Sequence, residues 1–276
     1  MERYIVQMQR NNKNGVCFFT FPALSTLPGV THAFSTRHGG VSQGVFSTMN
    51  LNFNRGDSDA NVLENYRRFC LATGFDLEKA VASSQDHHTN ILRVTAVHSG
   101  LGILKPQELN SIDGLLTDEP GITLVTYYAD CVPLYFLDIK RRAIGLAHAG
   151  WRGTVAEMGM HMVCAMKREF GTMPDDLQVA IGPSIGPCCY EVDAPVCARV
   201  ANLGYIDLEQ CFRPIGNGKA MLDLWSLNCL ILEHAGVPRA QIVVGGVCTC
   251  CNSDTFFSHR VMGAQRGGMA AMLALN

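Results

Sequence analysis

Charge is scarce in this sequence: Asp, Glu, Lys and Arg make up 17% of the 276 residues, and the formal balance is −2 with the Lys and Arg scattered. That excludes the basic stripe by which a nucleic-acid binder neutralises phosphates, so no nucleic acid is expected and the partner should be small. Long apolar runs are missing too. None reaches the roughly 18 residues that a membrane helix needs, so no membrane partner is expected. The opening stretch "MERYIVQMQRNNKNG" carries charged and polar residues where a signal peptide has its apolar region, which predicts a cytoplasmic protein. There is no low-complexity tract, no linker and no convincing internal repeat, so residues 1–276 read as one domain.

Apolar residues, by contrast, reach 47%, ample for a sizeable core, and cysteine is plentiful at twelve. The cysteines are spread through apolar segments, with Cys70 and Cys164 in helical patterns and Cys17 beside Phe18, rather than set out as a small secreted disulfide framework. Most are expected to be reduced, buried thiols.

Along the chain, "GVCFFTFPAL" and "VTHAFSTRHGG" read as short strands, followed by the irregular polar loop "VSQGVFSTMNLNFNRGDSD". Val62, Tyr66, Phe69 and Cys70 stand at helical spacing between Asn61 and Thr73. "NILRVTAV" and "GITLVTYYA" are β-rich, and "VPLYFLD" and "AIGLAHA" continue that sheet around the turn-like "IKRR". Val155, Met158, Met162, Met166 and Phe170 predict a helix over 154–170 whose methionines are core packing rather than metal ligands. "LQVAIGPSIGP" is a strand ending in a turn, "VDAPVCARVANLG" and "LDLWSLNCLILEHAG" are helical, and "QIVVGGV" is a late strand. Strands and helices alternate without a strict βαβ rhythm. The predicted class is mixed α/β, α+β-like, with mixed β-sheets flanked by helices.

Histidine, cysteine and aspartate concentrate where strands meet turns, in "SSQDHHTN", "YYADCVP" and "LAHAGWRGT". Strand ends and their loops form the crevices where ligands sit in open α/β sheets. One cysteine and two histidines from these stretches would leave a fourth zinc position for water or substrate, the arrangement of a catalytic zinc site. Spacing alone does not establish it, because the three stretches are far apart and no short ligand pair is present. Gly150, Arg152, Gly153 and Thr154 form a tight turn opening a helix, which suits an anion, although "GWRGT" lacks the Gly-Lys-Ser/Thr ending of a P-loop.

Two other arrangements compete. Cys248 and Cys251 form a Cys-x-x-Cys, but no second pair lies at zinc-ribbon spacing and no helix is predicted to follow it, as a redox motif requires. "GPSIG" at 182–186 matches the Gly-x-Ser-x-Gly nucleophile elbow after a strand, yet Pro187 and two cysteines follow where the helix should start.

Seven collinear blocks then carry a resemblance: "FSTRHGGVSQGVFSTMNL", "QDHH", "DGLLT", "ADCVPLYFLD", "AHAGWRGT", "AIGPSIGPCCYEV" and "CTCCNSDTFFSHR". The chain resembles the YfiH/YlmD family, long labelled polyphenol oxidase or laccase-domain proteins, which includes human FAMIN. The resemblance implies a mixed α/β fold and a purine nucleoside phosphorylase that also deaminates adenosine, with purine nucleosides and phosphate as partners. It places the zinc ligands on His87, Cys131 and His148, His87 being favoured over His88 because the family pattern is Gln-x-His. Asp130 is the expected proton-shuttling carboxylate, provided the chain turns between it and Cys131, since adjacent strand residues face opposite ways. Arg37 and Arg152 are candidates for phosphate or ribose, His38 for assisting them, and Asp113 for orienting a histidine ligand or making a turn. The sequence departs from the family near Arg266, where "QRGGMAAMLAL" replaces the usual Gly-Arg. Copper is the alternative metal, but laccase chemistry needs about ten histidines, mostly as His-x-His pairs; this chain has nine and no such pair. A monomer or homodimer is expected.

Overall fold

The strand Val132–Asp138 is buried along its whole length, and its alternate residues enter different cores. Val132, Leu134 and Phe136 pack toward helices, whereas Tyr135 and Leu137 pack toward a second sheet. A period of two with both faces apolar is what a strand between two layers requires. The computed structural model describes residues 7–276, so the part of the polar-start reading that falls on residues 1–6 lies outside them.

Two six-stranded sheets face one another. One runs in the order Gln9–Lys13, Val16–Thr20, Val30–Ser35, Met269–Leu275, Thr123–Tyr128, Ala80–Ala82, and the other in the order Ile242–Val244, Gln178–Ile181, Val132–Asp138, Ala143–Ala149, Gly114–Thr117, Ile91–Arg93. Each sheet mixes antiparallel neighbours with parallel ones, as where Ala80–Ala82 runs parallel to Thr123–Tyr128 and Ile91–Arg93 to Gly114–Thr117. Phe34, Leu124, Ala271 and Leu273 of the first sheet meet Tyr135, Leu137, Ile144 and Leu146 of the second. The helix Asp59–Thr73 covers the outer face of the first sheet through Val62, Tyr66 and Phe69. It stops at Gly74, whose φ of +89° suits a residue without a Cβ. Met158–Phe170 and Leu224–His234 cover the outer face of the second sheet, and Met162 and Met166 are fully buried there as packing. A small third sheet runs in the order Glu191–Val192, Lys219–Leu222, Phe212–Gly216.

This is the mixed α/β architecture expected, with two corrections that bear on the site. "VPLYFLD" does not continue the sheet of "TLVTYY": the chain leaves the first sheet at Tyr128, bends through Ala129, Asp130 and Cys131, and enters the second at Val132. Nor does one helix span 154–170. Trp151–Val155 ends at Ala156, Glu157 takes φ +60° while its carboxylate accepts from the Tyr205 hydroxyl, and Met158–Phe170 starts afresh. No helix among the described residues is long and apolar enough to cross a membrane.

Candidate metal centre

Cys131 owes its position to the crossing between sheets. The preceding Asp130 adopts φ +86°, in the left-handed region, which marks a turn at the crossing rather than a continuing strand. The buried Asp130 carboxylate accepts from Thr249 Oγ1 (2.7 Å), Ser258 Oγ (3.0 Å) and the Arg260 main-chain N–H (2.7 Å). The expected turn does occur, and both carboxylate oxygens are held by partners outside the His87, Cys131 and His148 cluster.

His148 stands near the end of Ala143–Ala149, opposite Pro133. His87 sits in a turn at φ +71°, a conformation that a non-glycine residue holds only where its surroundings enforce it. The enforcement comes from Asp113, whose buried carboxylate accepts the main-chain N–H groups of Asp86, His87 and His88, each at 3.1 Å. Gln85 anchors the start of this turn, donating Nε2–H to the Tyr127 carbonyl (2.8 Å) and accepting the Tyr127 N–H (2.6 Å). Of the two adjacent histidines only His87 joins the cluster; His88 Nδ1 instead pairs with Asp86 Oδ1 at 2.7 Å.

His87, Cys131 and His148 present one ligand atom each, all within 4.8 Å of one another, and the imidazole centroids are 4.9 Å apart. His148 Nδ1 lies 2.7 Å from Asp113 Oδ1, which keeps the proton on Nδ1 and turns Nε2 to the cluster. Burial pushes the Cys131 thiol up, but His148 and His87 beside it outweigh that and hold it below the usual thiol range. For His148 burial acts downward, and the Cys131 sulfur with Asp113 reverses it to a net rise. The thiol is therefore poised as thiolate, the form that binds metal. Space is reserved as well: a Cβ at Gly150 would stand 2.9 Å from Cys131 Sγ and 3.1 Å from His87 Nδ1. Donor set, thiolate character and clearance all fit a divalent ion with three protein ligands.

A cavity of about 420 Å³ opens onto this cluster, within the size range of small-molecule sites. Beside His87, Cys131 and His148 its lining includes Phe53, Tyr127 and Tyr128, and two cations, Arg55 and Arg266. Arg266 is 6% exposed; its Nη1 donates to the Gly267 carbonyl at 3.0 Å, and its Nε is buried without a hydrogen-bond partner. Burial, then the proximity of Arg55, pulls its guanidinium down to about 10.

A family model described as multi-copper polyphenol oxidoreductase laccase matches residues 31–276. The chain belongs to this family. The purine nucleoside phosphorylase YlmD of Geobacillus stearothermophilus is 39% identical over 247 residues, covering 89% of each chain. YlmD of Bacillus subtilis, also named a purine nucleoside phosphorylase, is 35% identical over 247 residues, or 89% of this chain and 88% of that one. The crystal structure of YlmD from Geobacillus stearothermophilus superimposes with a TM-score of 0.92 at 36% identity, covering 99% of this chain and 100% of that one.

Within this family fold several residues singled out from sequence lie elsewhere. Arg37 donates Nε–H and Nη1–H to the carbonyls of Ser47 and Ser253, both at 3.0 Å, and lies over the Phe257 ring. It is a loop clamp, and the cavity's cations are the Arg55 and Arg266 that sequence reasoning did not select. His38 and Arg152 are exposed and outside the cavity lining, Arg152 stacking over the ring of neighbouring Trp151. Ser184 of "GPSIG" is fully buried and accepts from Trp225 Nε1 at 2.6 Å, so the elbow match carries no nucleophile. A lone arginine in a polar loop gives no spacing signal; only the departure noted around Arg266 pointed near the cavity.

Proposed function

We propose that this chain is a zinc-dependent purine nucleoside phosphorylase, which converts adenosine, inosine, guanosine or methylthioadenosine and phosphate to the free base and the ribose 1-phosphate product. The observation that carries this reading is that one cavity joins a His/Cys/His ligand set to two guanidinium groups, one of them buried with an unpartnered Nε. The two guanidinium groups repel one another and one keeps a buried, unpartnered Nε, so phosphate would supply both offsetting charge and the missing acceptor. The names of the relatives in Geobacillus and Bacillus support the same chemistry.

His87, Cys131 and His148 would hold the zinc, which when bound supplies Lewis acidity at an open fourth position. Cys131 then serves as a ligand rather than a nucleophile. Arg55 and Arg266 bind phosphate and orient an oxygen toward the ribose C1′, while Phe53, Tyr127 and Tyr128 offer apolar wall to a flat base. Asp113 holds the Nδ1–H of His148 and fixes the turn that carries His87.

Adenosine deamination is the second reading, favoured by the three-ligand set with its open position. Its proton shuttle is less well provided for, since among the described residues no Asp or Glu lines the cavity. Phenol oxidation by several coppers lacks ligands: of the two metal-capable clusters among the described residues, one contains histidine, and it holds two.

The test is to incubate zinc-loaded protein with adenosine, with and without phosphate, and to resolve adenine, inosine and hypoxanthine. Adenine formed only with phosphate is the expected product; inosine formed without phosphate marks the deaminase activity. If neither base nor inosine forms from any of the four nucleosides, the proposal fails.

A further inference from the structure

We infer that Cys188, Cys189, Cys248 and Cys251 form a second metal site, a closed tetrathiolate that binds zinc and has a structural rather than catalytic role. Their sulfurs all lie within 4.8 Å of one another, with Cys188 Sγ and Cys189 Sγ each 3.3 Å from Cys251 Sγ. A tetrahedral zinc with Zn–S near 2.3 Å needs sulfurs about 3.8 Å apart, so the thiols already stand close to the edges of that tetrahedron. The sequence shows one Cys-x-x-Cys without a second pair at ribbon spacing; the fold supplies the adjacent pair Cys188 and Cys189 instead.

Two turns bring the ligands together. Cys189 and Tyr190 both donate main-chain N–H to the Gly186 carbonyl, at 3.0 and 3.1 Å, which coils the chain so that neighbouring cysteines reach one centre. The turn at 248–251 lies against it through the bridge between Ser184 and Cys248. Cys248 Sγ accepts the N–H of Gly186 (3.2 Å) and of Cys251 (3.5 Å). Donors aimed at the sulfur fix the ligand's orientation. All four positions are filled by protein, which marks a closed site with no place for substrate.

The two turns also meet at the bend that carries Cys131. Thr249, inside the Cys-x-x-Cys, donates to Asp130 Oδ1 at 2.7 Å, and Ile185, just before the Gly186 turn, donates its N–H to the Asp130 carbonyl at 2.9 Å. A metal that ties these turns together thereby stiffens the support of the neighbouring ligand Cys131.

The experiment uses the full chain purified with reductant and supplied with zinc. Wild type is expected to retain about two zinc ions per chain, and the double variant His87→Ala/Cys131→Ser about one. Loaded with cobalt(II), that variant should show the intense thiolate-to-metal charge-transfer bands and visible absorption of a tetrahedral tetrathiolate. Cys188→Ser/Cys251→Ser should lose them. The inference is overturned if His87→Ala/Cys131→Ser retains no metal and shows no such bands. It is equally overturned if, in a parallel sample prepared without reductant and with thiols blocked at lysis, peptide mapping finds Cys251 in a disulfide with Cys188 or Cys189. Should the double serine variant fail to fold, wild type and the ligand variant still decide the matter, since both measurements stand without it.

Discussion

Asp113 and His148 form the bond on which the candidate centre hangs: Oδ1 lies 2.7 Å from Nδ1, and both side chains are buried. The same carboxylate gathers three consecutive main-chain N–H groups of the turn bearing His87. One group thus positions two of the three ligands. Asp113→Ala should lower zinc affinity about 10–100-fold, read by competition with a chromophoric chelator. Asp113→Asn should do little better, because its NH₂ cannot accept from N–H donors. An affinity unchanged in both variants would show that the ligands hold themselves.

Asp130 is the other carboxylate of the region, and its three donors give it a structural task. Asparagine tolerates its φ of +86° but keeps one acceptor oxygen and adds an NH₂ among donors. Asp130→Asn should therefore lower the unfolding free energy by about 1–3 kcal/mol in urea titrations. Turnover per folded, zinc-loaded molecule should stay within about tenfold of wild type, whereas loss of a proton shuttle costs about 10²–10⁴-fold. Retained stability with collapsed turnover would return Asp130 to the chemistry.

Much of the fold follows from local pattern, as with Met162 and Met166, whose helical spacing marks a buried face wherever the helix lands. Met269–Leu275 is the opposite case. Met, Ala and Leu favour helix, yet this segment is a central strand because it pairs on both sides with Val30–Ser35 and Thr123–Tyr128, partners remote in sequence. The site divides in the same way. His87, Cys131 and His148 stand out as residue types at strand ends, but only the resemblance selected them together, since their convergence depends on a crossing between sheets. Arg55 and Arg266, and the pairing of Cys188 with Cys251, depend on tertiary packing that no spacing encodes.

The two cavity arginines predict a specific kinetic pattern. Each charge-assisted contact to phosphate is worth about 1.5–3 kcal/mol, so Arg55→Ala or Arg266→Met should raise the KM for phosphate about 10–100-fold. The KM for nucleoside should move much less. Arg37→Met is the control, for its donors serve the Ser47 and Ser253 carbonyls: it should lower the melting temperature and leave the phosphate KM near wild type. If Arg37→Met alone disturbs phosphate, the assignment of the cavity cations is wrong.

His32 gives a prediction independent of any metal. It is 5% exposed, its Nε2 accepts the Phe21 N–H at 2.8 Å, and it stacks on the Phe21 ring. Burial lowers its pKa from 6.5 to about 4. The unfolded chain therefore binds more protons than the folded one between about pH 6.5 and 4. Stability contributed by neutral His32 is fully present above the unfolded value and is lost as pH falls through that window. A shift of this size corresponds to about 3 kcal/mol in total, of which about 2 kcal/mol is already lost at pH 5. Urea unfolding at pH 7 and pH 5 should show that loss in wild type over and above whatever other groups add. His32→Gln, which keeps a hydrogen-bonding side chain but does not titrate, should start less stable at pH 7 and lose about 2 kcal/mol less on acidification. Parallel pH profiles for the two proteins would mean that His32 is not held neutral in the native state.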